Sequence, residues 1–362
     1  MGTILFYCNP LQLWQISSGK TTVLYFFLLL IFSACSMNEN DEFQVEPKIS
    51  IIFDTDANNE VDDQHALAYL LFSGDYFDVV GVTVNATSGL DGFLTSSHID
   101  EHYNEARRVM QLCGELYNKI PLLKGANDSF EDIKEYLDDD EFDGHNAVNF
   151  IINEALKERD EDLIILAVGK LTNVALALKM EPTIASNIRV VWLGSNYPNT
   201  GEHNKVWDIP AMNYVLDNDV PFEIVTVRYG ESTGTTAVRV TKAQILHRMP
   251  GKGPRISEPI IGRHGGEFDN WGDYSVNLFE NFTMRGDPPA RSLYDMAAVA
   301  ILKTPLWAET REIPAPILVD DEWVERPDNP RSIILWEHFD IYGIMNDFFL
   351  TMKNPILVKT NQ

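Results

Sequence analysis

Five short apolar runs recur along the chain with helix-like stretches between them, and this alternation restricts the fold more than any other feature. The runs are ISIIF (49–53), VVGVTV (79–84), LIILAV (163–168), VVWL (190–193) and FEIVTV (222–227). Each is continuous rather than alternating with polar residues, which is the pattern of a strand buried on both faces. DDQHALAYLLF (62–72), IDEHYNEARRVMQLCGEL (99–116), AVNFIINEALKE (147–158) and TNVALALKM (172–180) lie between the runs and carry helical periodicity. This βαβα order predicts an α/β fold with an open, doubly wound, mostly parallel sheet. No internal repeat and no Pro/Gly/Ser linker divides residues 48–362, which we read as one domain. Its last part, RSIILWEHFDIYGIMNDFFLTMKNP (331–355), is expected to be an extra helical segment that packs on the domain or forms a subunit contact. The Gly- and Pro-rich stretch 247–273 is expected to be a long loop or insertion, of the kind that often covers an active site.

Ligands of such sheets bind beyond the carboxyl ends of the strands. The first run ends in FDTDANNEVDDQHAL (53–67), which gathers Asp54, Asp56, Glu60, Asp62 and Asp63. Carboxylates this close stay ionised only if a cation offsets their repulsion, or if one of them keeps a proton. A helix N-terminus also attracts acids and accounts for Asp62 and Asp63. It does not account for Asp54 and Asp56, two residues apart at a strand end and pointing the same way. All-oxygen ligands favour calcium or magnesium over zinc. Asp plus Glu outnumber Lys plus Arg by 54 to 28, a formal charge of −26. A chain this acidic repels phosphate backbones, which excludes nucleic-acid polymers and leaves a neutral small molecule or a cation as partner.

The N-terminus carries an address. Lys20 precedes the apolar VLYFFLLLIF (23–32), and small residues then lead to Cys35. Ten apolar residues are too few to span a bilayer but suit a signal-peptide core. The segment resembles the lipobox of bacterial lipoproteins. We therefore expect residues 1–35 to be a signal peptide, Cys35 to be lipidated, and residues 36–47 to be a tether. The alternative is an ordinary secretory signal with a coincidental cysteine. With Cys8 and Cys35 used up in this way, Cys113 has no partner, and neither a disulfide framework nor a cysteine zinc site can form.

Beyond these local arguments, four motifs resemble the inosine–uridine-preferring nucleoside hydrolase family. DTDANNEVDDQHAL is similar to the family's opening D-x-D-P-G-x-D-D, and AVGKLTNVALAL (167–178) to its G-P-L-T-N segment. LGSNYPNTGEHNKVWDIPAM (193–212) is similar to its G-G…N…E-F-N…D-P-E-A block, and LYDMAAVAIL (293–302) to its late H-D-…-A motif. YNEARRVMQLCGELYNKIPLLKGA (103–126) is also similar to the family's N-A helix and following strand, and the likeness runs over residues 48–305. It implies calcium-dependent hydrolysis of the N-glycosidic bond of ribonucleosides, in nucleoside scavenging, by a protein that is often a homo-oligomer. It makes Asp56 both a calcium ligand and the base that activates water. Asp63, the backbone carbonyl of Thr172 and Asp295 complete the ligand set. Asp62 binds ribose hydroxyls, while Asn196, Glu202 and Asn204 hold the far side of the sugar, and Asp54 orients its neighbours. Simpler roles exist for several of these. Thr172 with Asn173 can cap a helix, Asp295 can be an ordinary first-turn acid, and Asn196, Glu202 and Asn204 suit any polar loop.

The chain departs from the pattern on the leaving-group side. The Pro-Gly of the first motif is replaced, and its loop is two residues longer; His203 stands where an apolar residue is usual. Tyr294 occupies the place of the family's His, and a phenol with a pKa of about 10 is a poor proton donor at neutral pH. Trp207, Trp271, Tyr274 and Tyr294 are candidates to stack on a base, and His264 is a candidate acid. Two other readings therefore stand beside the first: a hydrolase of another ribosyl or glycosyl substrate, and a non-catalytic, calcium-dependent sugar- or nucleoside-binding lipoprotein.

Overall fold

Residues 48–59, 61–87 and 98–359 are described by a computed structural model. The signal segment, Cys35, the tether and Glu60 lie outside the described residues. β1 (Ile49–Thr55), α1 (Val61–Leu71), β2 (Phe77–Val84), α2 (Ile99–Leu112) and β3 (Leu122–Lys124) come first. α3 (Phe130–Ile133), α4 (His145–Ala155), β4 (Leu163–Ala167), α5 (Thr172–Met180), β5 (Ile188–Leu193), α6 (His203–Trp207), α7 (Ile209–Leu216) and β6 (Phe222–Val225) continue the alternation. The second half adds β7 (Arg239–Thr241), α8 (Lys242–Arg248), β8 (Ile260–Ile261), β9 (Glu267–Phe268), α9 (Trp271–Glu280), β10 (Ala290–Ser292) and α10 (Tyr294–Lys303). β11 (Glu309–Pro314), β12 (Ile317–Val319), β13 (Glu322–Val324), β14 (Ser332–Glu337) and α11 (Ile341–Lys353) close it.

Eight strands form one sheet in the order β11-β14-β6-β5-β4-β1-β2-β3. Every neighbouring pair is parallel except β11 with β14. The sheet is covered on both faces, as the continuous apolar runs predict. Ile51 and Phe53 join the core made with α1, α2, α9, α10 and α11, whereas Ile52 between them joins the core made with α4, α5 and α7. Helix α1 is buried over its whole length, and its small Ala66 and Ala68 allow the close packing this requires. Truncating the fully buried Leu70 to alanine would cost about 2–5 kcal/mol. Among the described residues no helix is long and apolar enough to cross a membrane.

The register sets up the site. Asp54 of β1 pairs with Ala167 of β4, and Thr55 pairs with Val84 of β2. The three central strands thus end level, and Asp56, Asn85 and Val168 emerge side by side.

Two expectations need correction. Residues 331–355 are not helical throughout, because SIILWE forms β14, which runs parallel to β6 and antiparallel to β11. Ile333 and Leu335 belong to one core and Trp336 to the other, so this stretch is a strand buried on both faces. Residues 247–273 are not one loop. They hold the hairpin β8–β9, whose turn uses Gly265 and Gly266 at φ +79° and +85°, and they run from the end of α8 to the start of α9.

Candidate active site

A cavity of about 740 Å³ opens beyond the ends of the central strands. Its floor is built from the aspartates. Asp56 follows β1 directly, Asp62 and Asp63 lie in the first turn of α1, and Asp295 lies in the first turn of α10. α1 and α10 pack against each other, so their N-termini meet. Carboxylate oxygens of Asp62, Asp63 and Asp295 come within 4.8 Å of one another. None of the four residues is more than 4% exposed. Thr55 Oγ1 donates to Asp63 Oδ1 at 2.6 Å, and Thr87 and Asn59 both donate to Asp56.

Asp54 does not line the cavity. It is fully buried and accepts from Thr83 (2.6 Å), Asn85 (2.9 Å) and Asn173 (2.7 Å). These bonds tie down the strand end from which Asp56 projects.

Burial dominates the electrostatics of the floor. It pushes the carboxyls of Asp62 and Asp63 up to about 7, with the charge of Asp56 adding to the effect on Asp62 and the charge of Asp62 to that on Asp63. Burial raises Asp56 well above the ordinary carboxylate range, with Asp63 contributing, and does the same to Asp295, with Asp62 and Asp63 contributing. Arg291 reaches the cluster, at 3.4 Å from Asp62. Four buried acids facing one space, all offering oxygen, are a donor set that fits a hard divalent cation.

The other expected residues divide. Glu202 and Asn204 line the cavity, but their polar atoms are already engaged. Glu202 caps α6, with its oxygens accepting from the backbone N–H groups of Ser195, Asn204 and Lys205. Asn204 Nδ2 donates to the carbonyls of Val168 (2.8 Å) and Leu193 (3.0 Å), tying the ends of β4 and β5 together. Asn196 is not in the cavity wall. Its amide donates to the Thr200 carbonyl and accepts from the Tyr229 N–H, so it shapes a loop and places Tyr229. Thr172 is also absent from the wall: its hydroxyl donates to Asp208 at 2.5 Å, and the residue of the β4–α5 connection that reaches the cavity is Val168.

The inserted residues of the first motif are structural participants. Asn59 contacts Asp56, Thr87 and His203, bridging the floor to the opposite wall. His203 Nε2 sits 3.9 Å from Asp56, and burial lowers its pKa. His102 pins the loop from behind. Its Nδ1 accepts from the Asn58 N–H at 3.2 Å, which leaves Nε2 to donate to the Thr87 carbonyl at 3.1 Å. The imidazole is therefore neutral, and burial holds its pKa down at about 4.

Of the four aromatic candidates only Tyr294 lines the cavity. Trp271 is core, Tyr274 is buried with its hydroxyl donating to Glu105 at 2.6 Å, and Trp207 lies outside the wall. His264 does reach it, from the β8–β9 turn. Sequence reasoning missed Tyr229, which meets Tyr294 edge-on at 6.1 Å, and four arginines: Arg239, Arg263, Arg285 and Arg291. The Arg291 guanidinium lies 5.0 Å from the centre of the Tyr294 ring. The available signal was a run of six arginines over residues 239–291 of an otherwise acidic chain, of which four face the cavity.

Comparison with known proteins bears on these motifs. Residues 51–334 match the family model described as inosine-uridine preferring nucleoside hydrolase. A pyrimidine-specific ribonucleoside hydrolase, RihB, of Escherichia coli O17:K52:H18 (strain UMN026) is 26% identical over 175 residues. That match covers 46% of this chain and 50% of the relative, so this chain is aligned with only about half the length of that protein. Among solved structures, a plant nucleoside hydrolase, PpNRh1, superposes with a TM-score of 0.63 at 17% identity, over 85% of this chain and 100% of its own. The purine-preferring ribonucleoside hydrolase from Gardnerella vaginalis gives 0.63 at 18%, over 84% and 98%. At such identities these two likenesses speak for the fold.

Proposed function

The chain belongs to the inosine-uridine preferring nucleoside hydrolase family, and from that premise we propose that it hydrolyses the N-glycosidic bond of ribonucleosides with calcium as its cofactor. The observation that carries this reading is the meeting of Asp56, Asp62, Asp63 and Asp295 at the floor of one cavity large enough for a nucleoside. Asp56, Asp63 and Asp295 would hold the ion. When bound, it supplies Lewis acidity toward water and toward the vicinal hydroxyls of ribose.

The chain's own residues do the rest. Asp56 takes one proton from the attacking water. Asp62 accepts hydrogen bonds from ribose hydroxyls, and its charge stabilises the positive charge that develops on the sugar ring. Glu202 and Asn204 border the far side of the sugar. The C1′–N bond breaks with its electron pair leaving on the base, and the water oxygen bonds to C1′. The base then gains a proton from solvent or departs as an anion. Tyr229 and Tyr294 form an aromatic edge along the path of the leaving group and exclude water there.

The same reading places the enzyme outside the cytoplasm, tethered through a lipid on Cys35 and scavenging nucleosides, which the VLYFFLLLIF-to-SAC segment supports. Incubating the purified protein with inosine and uridine should release free base and reducing sugar only when calcium is present. Absence of release from either nucleoside with calcium bound would overturn the assignment. Continued lipidation of a Cys35→Ala variant would overturn the anchor. Tyr294 in the leaving-group position favours a second reading, a hydrolase of a different ribosyl compound, which the same assay run on other ribosides separates from the first.

A further inference from the structure

We propose that the cavity selects ribosides whose leaving group carries a carboxylate, and that Arg239 and Arg263 recognise it. This rests on the ribosyl-hydrolase reading above and names the substrate class of that site. The chain carries 54 acidic residues against 28 basic ones, yet four arginines line this one cavity, opposite in sign to the rest of the molecule. Among the described residues, two of them have no carboxylate to neutralise. The Arg239 guanidinium donates to the Arg285 carbonyl at 3.4 Å, and Arg263 donates to the Tyr274 hydroxyl through its backbone N–H at 3.4 Å. Neither forms an ion pair among the described residues, although the floor of the same cavity holds four carboxylates. The separation is the point. Were these arginines present to offset the floor, they would touch it, as Arg291 touches Asp62.

The elements that carry them say which part of a substrate they meet. Arg239 sits on β7, opposite Ser292 of β10, and two residues after Ser292 comes Tyr294, beside the leaving group. Arg263 sits in the β8–β9 turn next to His264, another wall residue. The sugar's far side instead borders Glu202, a buried carboxylate that repels a phosphate placed on the ribose. An anion on the substrate is therefore tolerated at the leaving group and opposed at the sugar. A guanidinium offers two parallel N–H donors that match a carboxylate, a geometry lysine lacks.

Matched pairs test this on the calcium-loaded protein: orotidine against uridine, and nicotinic acid riboside against nicotinamide riboside. Within each pair the carboxylated member should have a kcat/KM about tenfold to a hundredfold higher, the factor expected of one or two charge-assisted hydrogen bonds. In Arg239→Gln and Arg263→Gln that ratio should fall toward one, chiefly through a higher KM for the carboxylated member. Equal rates within both pairs, or a ratio unchanged in both variants, overturn the proposal. Faster cleavage of uridine 5′-phosphate than of uridine, with no preference within the pairs, also overturns it by moving the anion to the sugar. If nothing is cleaved, the hydrolase reading fails, and calorimetry of orotate against uracil decides this one separately. Tighter orotate binding that Arg263→Gln abolishes upholds the recognition site, and equal binding ends it.

Discussion

The floor and the rim of the cavity hold opposite charges, and they hold them in different ways. Asp56, Asp62, Asp63 and Asp295 are buried on the rigid ends of β1, α1 and α10, where loss of water works against their ionised forms. Arg239 is exposed and Arg263 half-buried, on a two-stranded ribbon and a hairpin turn open to solvent. Buried charge persists only with a counter-charge, whereas solvated charge is available to whatever arrives. The floor is thus suited to a resident ion and the rim to a transient ligand.

The most direct way to break this contrast is to remove the proton acceptor from the floor. Asp56→Asn is expected to lower kcat by about a hundredfold to ten-thousandfold while leaving the circular dichroism spectrum intact. A fall of less than tenfold in a ribose-release assay would show that the floor does not activate water. Removing the ion should come next in size. Calcium at about one hundred times its dissociation constant stabilises the folded state by roughly 2.7 kcal/mol, so scanning calorimetry should show a melting temperature several degrees lower after chelation and restored on adding calcium. An unchanged melting point across millimolar calcium would show that the floor carries no such ion.

His102 sharpens the comparison from the floor's outer side. Its folded pKa, about 4, lies below the unfolded 6.5, so the unfolded chain takes up the proton first. Its contribution is complete above pH 6.5 and is lost as pH falls toward 4, on the order of 3 kcal/mol in all. In calcium-saturated protein, urea midpoints should show wild type losing its margin over His102→Gln across that window; a margin that grows on acidification would contradict the neutral assignment. The smallest effect is expected at Tyr294→Phe. A phenol is a weak acid, and the ring keeps its contacts with Tyr229 and Arg291, so kcat should fall by less than about tenfold. A hundredfold fall would make the hydroxyl a proton donor after all.

Floor and rim also differed in how far the sequence disclosed them. β1, β2, β4, β5 and β6 were readable because strands buried on both faces leave unbroken apolar runs. Asp56 was readable because two carboxylates at one strand end need a reason, whereas Asp62, Asp63 and Asp295 stand in first helical turns, where acids are ordinary, and were singled out by the likeness of their motifs to the family's. β14 was not, since IILW runs on without a glycine or proline toward α11 and mimics a single amphipathic segment. Val168 was obscured because its place in the wall depends on the course of the backbone and not on its side chain, and the family resemblance pointed instead to the backbone carbonyl of Thr172. The arginines are spread over residues 239–291, and only the folding of ribbon, turn and helix brings them to one opening.

The place of β14 has an outcome for how the molecule is made. It is the last strand along the chain, yet it fills an interior slot between β6 and β11. While a ribosome is still extending the chain toward Glu337, the outer side of β6 is a bare row of amides and carbonyls, ready to zip onto any passing neighbour. The nascent protein therefore needs shielding through its final third, and a folding chaperone that binds extended segments should engage it longest there.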